Sequence, residues 1–161
     1  MEKILTALSG GVDSAVAAAL LLRQGFAAGG AVMLLQPHAD AEAADAEAAA
    51  RRLGIPFHRF AWQENFRRAV IEPFAAAYRR GETPNPCIFC NRALKFGKFL
   101  QESLALGYDG MATGHYARLQ YDRAAGRWLL YTARDTAKDQ TYMLAQLTQD
   151  QLARVRLPLG E

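Results

Sequence analysis

Cysteine is scarce in this chain: two residues, Cys87 and Cys90, among 161. A single pair cannot form the framework that holds small secreted domains together, so a disulfide scaffold is excluded. Long apolar runs are missing too, and none approaches the roughly 20 residues that a membrane-spanning helix needs. The N-terminus, MEKIL, has no basic segment leading into a cleavage site. Together these absences predict a soluble cytoplasmic protein with no membrane partner. An excess of one charge sign is also lacking: 19 Lys and Arg face 16 Asp and Glu, for a formal charge of +3. That mild bias suits an anionic partner without requiring one. No internal repeat and no linker-like stretch interrupts the chain, and 51% of it is hydrophobic. One domain over residues 1–161, with a sizeable core, is the expectation.

What is present is alternation. Residues 3–8, 30–36, 57–61 and 110–113 read as short buried strands. Between them lie helical stretches: 13–24 closed by Gly25, 41–53 closed by Gly54, and 64–79 with a kink at Pro73 and an end at Gly81. A further helix is expected from Asn91 to Leu106, after the proline-stiffened loop TPNPCIFCN. This order predicts an α/β fold, a doubly wound parallel sheet with helices on both faces. The last third differs. ARLQYDRAAGRWLLYTA reads as a β-hairpin about DRAAG, and KDQTYMLAQLTQDQLARV reads as a return to helix with Thr148 as a cap.

One joint carries a chemical signal. Ser9-Gly10-Gly11-Val12-Asp13-Ser14 stands where the first strand becomes the first helix. Free backbone N–H groups at such a helix N-terminus, at the carboxyl end of a strand, form an anion cradle. Neither Gly-Lys-Ser/Thr nor a third glycine follows, so the P-loop and the dinucleotide fingerprint are both excluded. The hydroxyls of Ser9 and Ser14 add donors, while Asp13 suits a helix cap or a magnesium ion.

SGGVDSAVAAALLL resembles the pyrophosphate loop of the ATP pyrophosphatases, the PP-loop group with an adenine nucleotide alpha hydrolase-like fold. GETPNPCIFCNRALKF, ATGHYAR, KDQTYML and LPLG, in this order, are similar to the tRNA-specific 2-thiouridylases, the MnmA/TrmU family. The resemblance implies ATP and Mg2+ as cofactors, bound by the loop Ala7, Leu8, Ser9, Gly10, Gly11, Val12, Asp13 and Ser14, with Met33 at the adenine and Gly114 at the nucleotide. It implies tRNA as partner, with Asn85, Pro86 and Cys87 at the target base and His115, Lys138, Asp139 and Gln140 on the tRNA side. A persulfide sulfur donor protein is the other implied partner.

Cys90 stands at the position of the family's nucleophile, and a helix start with Arg92 and Lys95 nearby predicts a lowered thiol pKa and the faster-reacting of the two thiols. Cys87 occupies a position where the family commonly has aspartate. The resulting Cys-x-x-Cys admits a redox pair, two ligands of a zinc or iron–sulfur site, or one nucleophile beside a bystander. Zinc wants about four ligands, and no second pair is offered. The reaction implied is adenylation of the C2 oxygen of a wobble uridine, followed by sulfur transfer from a persulfide. The family places that persulfide on a second cysteine, and adds central tRNA-binding and C-terminal barrel domains, all beyond Glu161. The expectation is a catalytic domain incomplete for thiolation by itself, in a truncated form of a longer enzyme or a naturally short relative. Two other functions stay open: a different AMP-forming synthetase or ligase of the PP-loop group, and a non-catalytic ATP-binding remnant.

Overall fold

The computed structural model describes residues 1–161. Five strands form one parallel sheet: β1 (Lys3–Ala7), β2 (Ala27–Leu34), β3 (Phe57–Ala61), β4 (Gly110–Ala112) and β7 (Val155–Arg156), in the order β3-β2-β1-β4-β7. Register runs Leu5 opposite Gly29 and Met111, and Met111 opposite Val155. The order reverses between β1 and β4, because the chain leaves β1 toward β2 and only later returns to β1's other side. That reversal opens a crevice at the carboxyl ends of these two strands.

Alternation along the strands sends side chains to two cores. Leu8 and Val32 pack with Ala18 of helix α1 (Val12–Arg23) and with Ala43, Ala46 and Ala50 of helix α2 (Asp40–Leu53). The alanines let α1 and α2 approach the sheet closely while keeping high helix propensity. On the opposite face Leu5, Ala31 and Met111 pack with Phe96, Phe99 and Leu100. Those residues belong to one continuous helical run: α5 (Pro86–Cys90), a wider π-type stretch Asn91–Phe99, and α6 (Leu100–Ala105). Helices therefore cover both faces, as the α/β alternation predicts. Phe60 stacks on Trp62 with ring centroids 4.8 Å apart, and Phe99 meets both rings edge-on; such pairs add about 0.5–1.5 kcal/mol each beyond burial.

The helix expected over 64–79 is present as α3 (Gln63–Phe66), a π-type turn Arg67–Ile71 and α4 (Glu72–Arg79). The widened turn falls just before Pro73, which has no N–H to give to the preceding turn. The hairpin is β5 (Ala117–Asp122) and β6 (Arg127–Thr132), an antiparallel pair standing as its own sheet. Its turn is held by Asp122 Oδ1, which accepts from the amides of Ala124 and Ala125.

Three local expectations need correction. The helix about Cys90 begins at Pro86, not Asn91, because the Asn85 side chain caps the Cys87 amide at 3.0 Å. Residues 138–148 do not form a helix: two short 3-10 turns, Thr136–Lys138 and Thr141–Leu144, precede helix α7 (Gln149–Arg154). Polar side chains there take backbone bonds for themselves, with Asp139 accepting from the Ala133 amide at 2.9 Å and Gln140 from the Tyr116 amide at 3.0 Å. Thr148 does cap α7, in a capping box with Gln151. Finally, β7 is a strand the sequence does not signal, since two residues hold no periodicity and its existence rests on pairing with β4. No helix is long and apolar enough to cross a membrane.

Candidate functional site

The crevice between β1 and β4 is a cavity of about 220 Å³ lined by Ala7, Leu8, Ser9, Asp13, Ser14, Met33, Lys95, Thr113, Gly114, His115 and Gln140. A larger groove, about 490 Å³, lies beside Leu35, Phe66 and Ile71. Its charged residues, Glu64 and Arg67, pair with each other, whereas Asp13 and Lys95 on the wall of the smaller cavity are in no ion pair.

The loop before α1 is built by its own serines. Ser14 Oγ donates to the Gly11 carbonyl at 3.0 Å and accepts from the Ser9 amide at 3.1 Å. The Ser14 hydroxyl hydrogen is therefore spent on the loop, and Ser9, 3.2 Å from Ser14 Oγ, is the hydroxyl left to face a ligand. No side chain caps α1. The amides of its first turn have no acceptor within the helix and carry the positive end of its dipole. Gly10 takes a positive φ of 81° to make the turn. Gly114 is needed for contact: a Cβ there would lie 3.0 Å from the Asp13 carbonyl carbon and 3.1 Å from the Ser14 nitrogen. The exit of β4 is thus pressed against the first turn of α1, and the two walls of the cavity are one packed unit.

Lys95 lies on the wall formed by the helix Pro86–Ala105. It is half-buried, and no carboxylate pairs with it among the chain's ion pairs. A half-buried ammonium without an anion, beside an N-terminal cradle, favours an anionic ligand. The same charge reaches its neighbours. His115 is buried, and burial first, with Lys95 second, pushes its pKa down to about 3, so the imidazole is neutral near pH 7. Its Nδ1 shares a 2.8 Å hydrogen bond with Thr113 Oγ1, and its ring lies 5.7 Å from that of Phe96.

Nine of the residues singled out in the sequence line this cavity: Ala7, Leu8, Ser9, Asp13, Ser14, Met33, Gly114, His115 and Gln140. Gly10, Gly11 and Val12 form the outer turn of the loop, where Val12 is 77% exposed. Asn85, Pro86, Cys87 and Cys90 stand outside the lining, on α5 and its cap. Asn91 ties that helix to the 3-10 turn that follows Gln140, its Nδ2 donating to the Met143 carbonyl at 3.3 Å. Asp139 is occupied internally, accepting from the Ala133 amide and from the Thr141 hydroxyl and amide. Thr113 and Tyr116 lie within the ATGHYAR motif but are not singled out as site residues in the sequence; their place on either side of the Gly114-His115 pair is the signal. Lys95 appears there only as a charge near Cys90.

The expected activation of Cys90 is reversed. Burial pushes its thiol pKa up, the Lys95 ammonium opposes this only in part, and Cys87 adds to the rise. With the helix beginning at Pro86, Cys90 sits a full turn inside it, away from the positive end. Cys87 is exposed, whereas Cys90 is partly covered. Limited alkylation near neutral pH is therefore expected to label Cys87 first, as peptide mass spectrometry would show. Labelling of Cys90 first would contradict the effect of burial.

The cysteines are both free thiols, and no cluster of three or more His, Cys, Asp or Glu side chains could hold a metal ion. Asp13 is the single carboxylate on the cavity wall. Magnesium commonly takes one or two carboxylates together with phosphate oxygens, so this donor set fits an ion carried in by a nucleotide.

Comparison with known proteins places the chain in a family. The family model described as the tRNA methyl transferase HUP domain matches residues 2–161. A protein of Carboxydothermus hydrogenoformans named tRNA-specific 2-thiouridylase MnmA is 47% identical over 173 aligned positions, covering 99% of this chain and 47% of its own length. One of the same name from Chloroflexus aggregans is 49% identical over 172, covering 100% of this chain and 48% of its own length. The chain spans about half the length of these relatives. The crystal structure of a predicted subunit of tRNA methyltransferase from Methanocaldococcus jannaschii shares the fold, with a TM-score of 0.56 at 17% identity over 99% of this chain and 68% of that one. With a matching family model over nearly every residue and relatives near half identity, the chain belongs to the tRNA methyl transferase HUP domain family.

Proposed function

We propose that this chain binds ATP with Mg2+ and adenylates a tRNA uridine, as the nucleotide-binding part of a tRNA-specific 2-thiouridylase. The observation that carries the reading is the cavity at the β1/β4 reversal, which the first turn of an uncapped helix and a lysine without an ion pair line together. The amides of Val12, Asp13 and Ser14 with the Ser9 hydroxyl would receive the phosphates, and Lys95 on the wall of the same cavity would neutralise them. Met33, at the end of β2, would border the adenine. Asp13 would hold magnesium, which shields phosphate charge when bound.

The uridine C2 oxygen attacks the α-phosphorus and pyrophosphate leaves, so AMP replaces a poor leaving group at C2. The terminal sulfur of a persulfide on a donor cysteine then forms the C2–S bond, and AMP departs. A second thiol attacks the inner persulfide sulfur, cleaving the S–S bond to leave 2-thiouridine and a disulfide; Cys90 is the candidate for that thiol. Neutral His115, Gly114's neighbour, can donate or accept a hydrogen bond at the base without adding a charge. The exposed Asn85, Cys87 and Lys138, with half-buried Pro86, would meet the RNA.

Calorimetry with ATP and Mg2+ should show binding, and labelled AMP should transfer to tRNA on mixing. Lys95→Met should weaken ATP binding about 10- to 150-fold, the factor that about 1.5–3 kcal/mol for a hydrogen bond to a charged group gives. It should also raise the His115 pKa by removing a positive neighbour, visible in an NMR titration. Unchanged affinity in this variant would remove Lys95 from the phosphate site.

A further inference from the structure

One hydroxyl joins the three motifs that the sequence keeps far apart. Tyr116 Oη donates to Asp13 Oδ1 at 3.1 Å across 103 residues, and accepts from Lys138 Nζ at 3.4 Å. The Lys138 ammonium also rests over the Tyr116 ring, 4.9 Å from its centroid. The backbone of Tyr116 is held in both directions by Gln140: the Gln140 amide donates to the Tyr116 carbonyl at 2.9 Å, and the Tyr116 amide donates to Gln140 Oε1 at 3.0 Å. Asp139 closes the same loop onto Ala133 and Thr141. So the first turn of α1, the exit of β4 and the segment 138–141 meet at a single side chain.

We infer that Tyr116 is a positioning residue, a latch that holds the Asp13 carboxylate against segment 138–141 so that the phosphate loop and this segment move as one unit. An acid on the wall of an anion cradle repels phosphate unless something holds it aside or a cation meets it. Tyr116 and Lys138 do the holding. Any ligand that draws Asp13 inward releases Tyr116 and Lys138, and the order of 138–141 then reports on the cradle. The consequence for activity rests on the ATP reading above. The latch itself belongs to the ligand-free chain.

The test is hydrogen exchange at the Tyr116 and Gln140 amides in the ligand-free chain, which measures local opening of the clamp. Tyr116→Phe and Asp13→Ala should each speed exchange at both amides about fivefold, and the double variant should be no faster than either single one. Asp13→Asn keeps an acceptor oxygen and should restore exchange to within twofold of the original chain. A tyrosine that only supports its own loop would respond to Tyr116→Phe alone. No change at these amides in Asp13→Ala, or effects that multiply in the double variant, would overturn the latch. Calorimetry on the unsubstituted chain separates the two readings: failure to bind ATP would remove the proposed function, while the exchange cycle decides the latch in either case.

Discussion

Valine in place of Gly11 is expected to weaken ATP binding at least about 100-fold, which is about 2.7 kcal/mol, while the thermal midpoint moves only a few degrees. The two effects separate because of where the side chain would go. Gly11 has φ −82° and ψ 163°, extended backbone that any residue adopts. A Cβ there meets nothing closer than Ser9 Oγ, at 3.4 Å. The fold therefore accepts the substitution, at the modest cost of a poorer residue at the helix cap. Its branched side chain would instead stand beside the Ser9 hydroxyl, in the space a phosphate needs to reach the first-turn amides. Gly10 is the contrasting control. Its φ is positive, and a Cβ would lie 3.0 Å from both Asp45 Cβ and the Glu42 carbonyl oxygen of α2. Gly10→Val should lower stability outright, by about 1–3 kcal/mol from backbone strain alone. Calorimetry and thermal melts on the pair distinguish binding from folding, and full ATP affinity in Gly11→Val would sink the cradle.

Acid is expected to destabilise the chain steeply, by about 1.4 kcal/mol for each pH unit between roughly pH 6.5 and pH 3. The sign follows from His115. Its folded pKa is held near 3, below the 6.5 of an unfolded histidine, so in this window the unfolded chain takes up a proton that the folded chain refuses. Stability from this group is full above pH 6.5 and is lost progressively as pH falls. Burial is the main cause, since the ring sits under Phe96 with Thr113 as its partner, and the Lys95 charge deepens the shift. Denaturant titrations at intervals from pH 7.5 to pH 4 would give the slope. In His115→Gln the slope should flatten by about one proton, whatever the variant's stability at pH 7. An unchanged slope would place the acid sensitivity elsewhere.

Much of the site was legible because its parts are local. A Gly-Gly turn with flanking serines states its own backbone geometry, and Gly25 and Gly54 mark helix ends by taking the left-handed conformation that the structure shows at both. The capping of α7 by Thr148 needs only three neighbours. Chemistry that depends on position in space was not legible. The Cys90 thiol looks activated when Lys95 and Arg92 are counted along the chain. Once the helix starts at Pro86 and the thiol is partly covered, burial outweighs the nearby charge. Segment 138–148 looks helical by composition, yet Asp139 and Gln140 bond to Ala133 and Tyr116, and bonds across the fold displaced the local preference.

By itself the sequence determined the alternating strands and helices, the glycine turn that leads the first strand into the first helix, and the family motifs, because periodicity, glycine placement and caps act within a few residues. Tertiary structure decided the strand order that puts β4 beside β1, the two-residue strand β7, the place of Lys95 on the wall of the same cavity as the first turn of α1, the neutral buried His115 and the Tyr116 contact with Asp13 and Lys138. Each of these is set by which surfaces the sheet and its helices bring together, and burial and charge become defined only when distant segments meet.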